Sequence, residues 1–234
     1  MKILGLDSSG LVASVAVVEN DVLLAEYTTD YKKTHSQTLL PMLDELRNMI
    51  ELDLDTVDAI AVASGPGSFT GLRIGSATAK GLGLALNKPI VEVPTLEGLA
   101  WNLWGSDMIV CPLMDARRNQ VYTAAYEFRT EGEGCQLHSV IEQAPIDITE
   151  MIDKLNQLRR DVIFLGDGVT VYLSAIREHI KVPFYLAPAG CNRQRAASVA
   201  ALGAVYYAQG KSVKAQDHQP EYLRKSQAER ESER

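Results

Sequence analysis

Two stretches of the sequence repeat one design, and this repeat decides the fold class. Residues 2–19 read KILGLDSSGLVASVAVVE, and residues 107–128 read DMIVCPLMDARRNQVYTAAYEF. Each stretch begins with an apolar run of strand length, reaches an acidic residue (Asp7 or Asp115), turns, and continues as an alternating strand. The repeat predicts two related halves, each opening with antiparallel strands.

Helical patterns follow each of these openings. In the first half, residues 35–51 carry apolar side chains at helical spacing, and residues 57–65 form an apolar run typical of a strand covered on both faces. In the second half, we expect a helix near residues 148–158 and a glycine turn at 166–168. The chain is therefore predicted to be an α/β protein with two lobes.

The predicted domain boundaries follow from the repeat. We expect a first lobe over residues 1–105, a second over 106–194, a helix over 195–210 that packs back on the first lobe, and a tail over 211–234. Two lobes that each combine a β-meander with helices are typical of actin, Hsp70 and the sugar kinases. This likeness concerns the fold and carries no activity by itself.

In an actin-like fold, acids at strand ends and glycine turns handle ATP phosphates. Asp7, Asp115 and Asp167 are therefore candidate nucleotide-handling residues. A role in a turn or a cap is the alternative for Asp7 and Asp115. For Asp167, which lies in the sequence Gly-Asp-Gly, the alternative is a plain turn between a strand and a helix.

Composition narrows the function classes. The 234 residues carry a net charge of −7, which argues against a dedicated nucleic-acid surface, so we expect any contact with RNA to be local or made indirectly through a partner. The N-terminus shows no apolar leader, and no apolar run approaches the roughly 20 residues of a membrane span. The cysteines at 111, 135 and 191 form no C-x-x-C pair. These features favour a cytoplasmic protein that does not bind membranes.

A second glycine turn lies at residues 64–75, SGPGSFTGLRIG. It lacks the lysine that follows the last glycine of a Walker A loop, and Thr70 stands where a dinucleotide fingerprint needs glycine. Phosphate binding and a purely structural turn both remain open. Ser68 or Thr70 is predicted to cap the helix that follows.

That helix carries a stripe of small residues at Gly75, Ala79 and Gly83. Each glycine inside a helix costs about 1 kcal/mol relative to alanine. A small stripe allows another backbone to approach closely, and the neighbour is either a helix of the same chain or a second protein.

Four segments together resemble one protein family. They are 35–43 (HSQTLLPML), 64–86 (SGPGSFTGLRIGSATAKGLGLAL), 115–126 (DARRNQVYTAAY) and 220–225 (PEYLRK), and in this order they resemble the TsaB (YeaZ) family. The resemblance implies an actin-like fold and a role as partner subunit in making N6-threonylcarbamoyladenosine at position 37 of tRNAs that read ANN codons. It also implies a catalytic relative, TsaD, which shares the fold.

The catalytic relative carries an H-x-x-x-H metal motif just after the corresponding helix. At those two positions this chain has Thr95 and Leu99, within VPTLEGL. A leucine has no lone pair, and a neutral threonine hydroxyl is a poor substitute for imidazole. The four histidines are isolated, and no G-x-S-x-G motif places a nucleophile. We therefore expect no catalytic residue, no metal site and no intrinsic cofactor.

Two other functions remain open. One is that of a nucleotide-dependent phosphotransferase or ATPase of the actin-like fold, and the other is that of a peptidase. ATP or ADP at the partner interface is also left open. By resemblance, the expected partners are a TsaD-like catalytic subunit, a TsaE-like ATPase in the larger complex, and a second copy of the chain when it is alone.

The partner interface is predicted on two helices. The first has an apolar set broader than one buried face needs, and the second offers the small stripe. The predicted interface residues are Leu39, Leu40, Leu43, Phe69, Leu72, Arg73, Ser76, Ala79, Lys80 and Gly83. Residues after Lys225 offer no apolar anchor, so we expect their removal to leave stability unchanged.

Overall fold

Two five-stranded mixed sheets form the framework of the protein. The computed structural model describes residues 1–31, 34–132 and 134–223. The chain divides into two units: the first combines Met1–Gly98 with Gln194–Arg234, and the second is Leu99–Arg193. The predicted dispensable end of the tail, after Lys225, lies outside the described residues.

The first sheet has the strand order β3-β2-β1-β4-β5. Strands β1 to β3 pair antiparallel, whereas β4 and β5 run parallel to β1. Its elements, with the helices between them, are β1 (Lys2–Asp7), β2 (Ala13–Glu19), β3 (Val22–Thr29), α1 (His35–Met49), β4 (Ala59–Gly65), α2 (Phe69–Leu86), β5 (Ile90–Pro94) and α3 (Thr95–Ala100).

The second sheet has the order β10-β9-β6-β7-β8, which is the first order read from the other edge. Here β6 to β8 are antiparallel, and β9 and β10 are parallel to β6. Its elements are β6 (Ile109–Asp115), β7 (Gln120–Glu131), β8 (Gly134–Asp147), α4 (Ile148–Leu158), β9 (Val162–Leu165), α5 (Asp167–His179) and β10 (Phe184–Leu186). The prediction of an actin-like fold with two related lobes is confirmed.

Two strands of the second sheet were not expected from the sequence. Strand β8 alternates between exposed and half-buried residues, and β10 is only three residues long. Neither has the apolar run or the strong alternation that identifies a strand in sequence. Their place in the sheet is fixed by backbone pairing: β8 forms a hairpin with the preceding strand β7, and β10 pairs parallel with β9.

Helices cover both faces of the first sheet. Helix α1 packs on β2 and β3, α2 packs mainly on β4, and the two helices contact each other. The final helix, α6 (Ala196–Ala208), packs on all five strands of the same sheet. Since α1 and α2 share one face of the sheet, their outer sides form a continuous surface of the first unit.

The start of α6 is held by polar groups of β2 and β3. Ser14 Oγ accepts a hydrogen bond from the Ala196 N–H at 2.8 Å, and Glu26 accepts one from the Ala197 N–H at 3.1 Å. Glu26 also forms an ion pair with Arg195. The first N–H groups of a helix have no partner inside the helix, so these bonds satisfy them and fix where α6 begins.

Helix α2 packs inward through its small residues. Ala79 is fully buried, and Gly75 and Gly83 are buried with it. A Cβ on Gly83 would lie 2.7 Å from the Ala215 Cβ and 3.0 Å from the Lys88 carbonyl oxygen, and a Cβ on Gly75 would lie 2.6 Å from Ser8 Oγ. The stripe predicted as a partner surface is therefore internal packing of the first unit.

Asp7 ends β1 as a buried carboxyl group. It is 2% exposed, and its Oδ1 accepts hydrogen bonds from the Ser9 N–H at 2.8 Å and the Ser9 hydroxyl at 2.7 Å. Burial raises the pKa of Asp7 to about 6, against the lowering effect of these bonds. The group closes the turn between β1 and β2, which is the turn role that the sequence left open.

The contrast between two glycines of α2 gives a test of this packing. A Cβ on Gly81 would meet no neighbouring atom of the described residues within 4 Å. We expect Gly81→Ala to raise the free energy of unfolding by about 0.5–1 kcal/mol, since alanine is the better helix former. Gly83→Ala should lower it by roughly 1–3 kcal/mol, because the new methyl group overpacks the contact with Ala215. Urea unfolding of both variants measures the difference, and two shifts of the same sign would contradict it.

The raised pKa of Asp7 predicts a pH dependence of stability. The unfolded chain ionises near pH 4, whereas the folded chain keeps the Asp7 proton up to about pH 6. The contribution of Asp7 to the free energy of unfolding should therefore fall, by up to about 3 kcal/mol, as the pH rises from 4 to 6, and then level off. Asp7→Asn keeps the acceptor for Ser9 and should remove this fall. Unfolding of both proteins at pH 4, 5, 6 and 7 measures it, and parallel curves would show that Asp7 does not titrate this way.

Candidate partner interface

The glycine turn between β4 and α2 is closed by backbone from elsewhere in the first unit. A Cβ on Gly67 would lie 2.3 Å from the Ser9 carbonyl oxygen, and a Cβ on Gly71 would lie 2.1 Å from that of Ser8. The Ser68 N–H donates to the Ser9 carbonyl at 2.7 Å, and Ser68 Oγ caps α2 by accepting from the Gly71 N–H at 3.3 Å. These N–H groups already have partners, so the geometry favours the structural role of the turn over phosphate binding.

The third glycine of this turn contacts the end of the described chain. Gly65 has φ +133°, and a Cβ there would lie 2.2 Å from the Glu221 carbonyl oxygen. The Glu221 N–H donates to the Ser64 carbonyl at 2.7 Å. We call residues 213–222 the C-terminal strap. The segment PEYLRK is one of the four segments that resemble the family, and no pattern in the sequence predicts its contact with the glycine turn.

The strap is held along the first unit at three further points. The Val213 backbone bridges to Ile90 in β5, and His218 Nδ1 lies 2.7 Å from Glu92 Oε1. Lys80 Nζ donates to the His218 carbonyl at 2.9 Å, so this predicted interface residue contacts its own chain.

At the start of α2, the strap completes an aromatic and cationic cluster. The rings of Phe69 and Tyr222 lie 4.8 Å apart, and the Arg73 guanidinium lies 4.0 Å above the Phe69 ring. Arg73 Nε also donates to the Tyr222 hydroxyl at 3.4 Å. Arg73 is exposed and Phe69 is half-buried, so the cluster presents a positive charge at the start of α2.

The ten predicted interface residues divide into two sets. Six of them have their side chains or backbone buried in the first unit and are not available to a partner in this conformation: Leu39, Leu43, Leu72, Ser76, Ala79 and Gly83. Of the rest, Leu40 is 52% exposed and Arg73 is exposed, whereas Phe69 and Lys80 are half-buried.

The structure adds residues that the sequence reasoning missed. Ala77, Gly81 and Leu84 are exposed on α2 at spacings of four and three residues, so they share one side of the helix with Arg73. Leu84 is 60% exposed. Together with Leu40 on α1, these residues define the outer α1–α2 surface. Glycine and alanine occur on both faces of α2, so the sequence does not show which face is buried and which is exposed.

The two other candidate nucleotide-handling acids lie in the second unit. Asp115 Oδ1 accepts from the Arg117 N–H at 2.8 Å and from the Tyr172 hydroxyl at 3.0 Å. Burial, followed by this hydrogen bond to Asp115, raises the pKa of Tyr172 to about 12. Burial also raises the pKa of Asp167. Its Oδ1 has no hydrogen-bond donor within residues 1–31, 34–132 and 134–223. Asp115 thus has a turn role like that of Asp7, in a different unit.

Thr95 and Leu99 are buried side chains in this structure, at the two positions where the family resemblance places imidazoles in the catalytic relative. Thr95 is 1% exposed, and its hydroxyl accepts from the Gly65 N–H at 3.2 Å. Leu99 is 1% exposed. Within the part of the chain that the structure describes, no three His, Cys, Asp or Glu side chains lie close enough to hold a metal ion. No described helix combines the length and apolar character needed to cross a membrane.

Comparison with known proteins agrees with the fold and with the sequence motifs. The family described as "TsaD: tRNA N6-adenosine threonylcarbamoyltransferase" matches residues 22–232. The "tRNA threonylcarbamoyladenosine biosynthesis protein TsaB" of Bacillus subtilis is 33% identical over 98% of this chain and 96% of its own length, and the protein of the same name from Escherichia coli is 28% identical over 97% and 96%. The crystal structure of YeaZ from Pseudomonas aeruginosa has a TM-score of 0.78 and 27% identity, and the match covers 95% of this chain and 99% of that one.

These matches extend over nearly the whole chain and over nearly the whole of each relative. The match to the family model includes the glycine turn, the second sheet and the whole C-terminal strap. The chain therefore belongs to the TsaB (YeaZ) family.

Proposed function

We propose that this chain is a non-catalytic subunit in the synthesis of N6-threonylcarbamoyladenosine in tRNA. The observation that carries the proposal is its near full-length similarity to proteins named for that biosynthesis, at 33% identity in one case. In this proposal the chain binds and activates a TsaD-like subunit that transfers the threonylcarbamoyl group. A TsaE-like ATPase joins the larger complex, and nucleotide at the partner interface belongs to the same proposal.

The non-catalytic part rests on the chemistry of two side chains. A transferring subunit needs ligands for its metal ion, and the positions that the family resemblance assigns to those ligands are Thr95 and Leu99 here. The Thr95 hydroxyl already binds the turn at Gly65. A peptidase is disfavoured by the same absence of ligands and by the lack of a nucleophile motif. Turnover of ATP by the isolated chain would instead favour the phosphotransferase alternative.

The outer α1–α2 surface is the docking site in this proposal. Gly81 lies in the middle of an 18-residue helix, where glycine costs about 1 kcal/mol relative to alanine, and no atom of the described chain lies near enough to require it. A glycine there lets the backbone of another molecule approach α2 closely. Leu40 and Leu84 supply exposed apolar area beside it.

A partner of the same fold could present the same pair of helices. Two such pairs would pack as a four-helix arrangement about a pseudo-twofold axis. The same surface would then form a homodimer when the partner is absent, which explains how one site serves both assemblies.

The first test places a bulky charge on the proposed surface. We expect Gly81→Arg and Leu40→Asp each to weaken binding of the purified transferring subunit at least tenfold, about 1.4 kcal/mol, because each buries an unpaired charge. Gln157→Arg, at an exposed position of α4, is the matched control and should bind as the wild type does. Calorimetry measures the affinities, and circular dichroism checks folding. Wild-type affinity of a folded Gly81→Arg protein would exclude this surface.

The second test measures tRNA modification. The isolated chain, given threonylcarbamoyl-adenylate and an ANN-decoding tRNA, should form no modified adenosine, whereas adding it to the transferring subunit should raise the rate at least tenfold. Gly81→Arg should lose this stimulation at low concentration and regain part of it at high concentration, since it weakens binding and leaves the other subunit's active site intact. Modification by the isolated chain would overturn the non-catalytic role.

A further inference from the structure

An open cavity of about 700 Å³ lies in the second unit, and the proposed function does not use it. The turn between β6 and β7 forms one wall, and the first residues of α4 and one side of α5 form the others. A volume of this size is within the range of sites that hold a small organic molecule, roughly 300–1,000 Å³.

The turn holds two arginines over this cavity in an unfavourable backbone conformation. Arg117, Arg118 and Asn119 have φ of 61°, 57° and 59° in succession, and each arginine in this left-handed region costs roughly 1–2 kcal/mol, whereas asparagine tolerates it. Arg129 and Arg160 of the same unit both pair with Glu127. In contrast, the guanidinium groups of Arg117 and Arg118 have no hydrogen-bond or ion-pair partner among residues 1–31, 34–132 and 134–223.

Two carboxylates of the cavity each use only one oxygen as a hydrogen-bond acceptor within the described chain. Asp147 Oδ1 accepts from the Thr149 N–H at 2.8 Å and from the Thr149 hydroxyl at 2.7 Å, and Asp115 Oδ1 accepts from Arg117 and Tyr172. For each acid, Oδ2 receives no donor from the described part of the chain. The cavity therefore offers two free guanidinium groups for an anion and two free carboxylate oxygens that accept from hydroxyl groups.

The remaining wall is apolar. Ile148 is buried at the start of α4, and Val171 and Ala175 lie one turn apart on α5, with Val171 55% exposed. Exposed aliphatic side chains in a concave site provide a face on which a flat ring can pack.

We propose that this cavity binds a nucleoside phosphate unit, either as a free nucleotide or as part of an RNA strand. The phosphate lies on Arg117 and Arg118, the ribose hydroxyls donate to the free oxygens of Asp115 and Asp147, and the base packs on the wall of Val171 and Ala175. An inorganic anion would leave the carboxylates and the apolar wall unused, and a neutral ring would leave the arginines unpaired. The combination of the three chemistries selects this ligand class.

The experiment titrates the full-length chain with AMP and follows amide chemical shifts. We expect shifts confined to residues 115–119, 147–149 and 171–175, and at least tenfold weaker binding of inorganic phosphate and of adenosine. Arg118→Ala should weaken AMP binding about tenfold through loss of a charge-assisted hydrogen bond. Arg177→Ala, an exposed arginine of α5 that does not line the cavity, is the control and should leave it unchanged.

A second variant distinguishes loss of AMP binding from an effect on folding. Ser174 is an exposed cavity residue, and Ser174→Phe should fill the space and abolish AMP binding while the rest of the spectrum stays unchanged. A five-nucleotide oligoadenylate separates the two sources: tighter binding than AMP assigns the site to an RNA strand, and equal or weaker binding assigns it to a free nucleotide.

Three results would overturn the proposal. They are AMP shifts outside the cavity, equal affinity for AMP and phosphate, and wild-type AMP affinity of Ser174→Phe. Neither the transferring subunit nor tRNA modification enters this experiment, so its failure leaves the proposed partner role untouched.

Discussion

Close backbone contact at the glycine turn of the first sheet positions the rest of the first unit. Three segments meet there: the turn after β1, the turn after β4 and the C-terminal strap. Gly67 and Gly71 admit the carbonyl groups of Ser9 and Ser8, and Gly65 admits that of Glu221. Any side chain at these glycines would force the segments apart. Because α2 begins at this junction, the contact also sets where its outer side, and with it the outer α1–α2 surface, is presented.

The second unit repeats this close backbone contact at a glycine turn, but the turn after its first strand differs. Gly166 and Gly168 follow β9 as Gly65 and Gly67 follow β4, and a Cβ on Gly166 would lie 2.1 Å from the Leu113 carbonyl oxygen of β6. The turn that joins the antiparallel strands β6 and β7 differs from its counterpart in the first unit. Its residues 117–119 have a left-handed backbone, and it borders an open cavity. In the first unit, the corresponding turn packs against the glycine turn and leaves its polar groups bonded within the chain. One architecture thus supports a closed junction in one unit and an open polar site in the other.

Helix α6 and the C-terminal strap pack on the first unit, although both come from the opposite end of the chain to its first strands. Ser14 and Glu26 receive the first N–H groups of α6, and Ile90 and Glu92 receive the strap. Each of these contacts joins residues more than a hundred positions apart. A family resemblance in the segment PEYLRK is consistent with this arrangement, since its Glu221 and Tyr222 bind the glycine turn and Phe69.

The sequence alone determined the fold class and the absence of imidazole side chains at residues 95 and 99. Apolar runs and alternation predicted β1, β2, β4, β6 and β7, the repeat around Asp7 and Asp115 predicted the duplicated sheet, and Thr95 and Leu99 excluded imidazole ligands at those positions. These properties are local, because they depend on the spacing and chemical type of neighbouring residues. Tertiary structure decided which side of α2 is buried, since glycine and alanine occur on both sides and only contact with Ser8 and Ala215 distinguishes Gly75 and Gly83 from Gly81. It also decided that β8 and β10 are strands, since each is defined by its backbone pairing with β7 or β9 and not by its own pattern. Arg117 and Arg118 lie over a cavity without a partner among the described residues, because charge pairing depends on which side chains folding brings together.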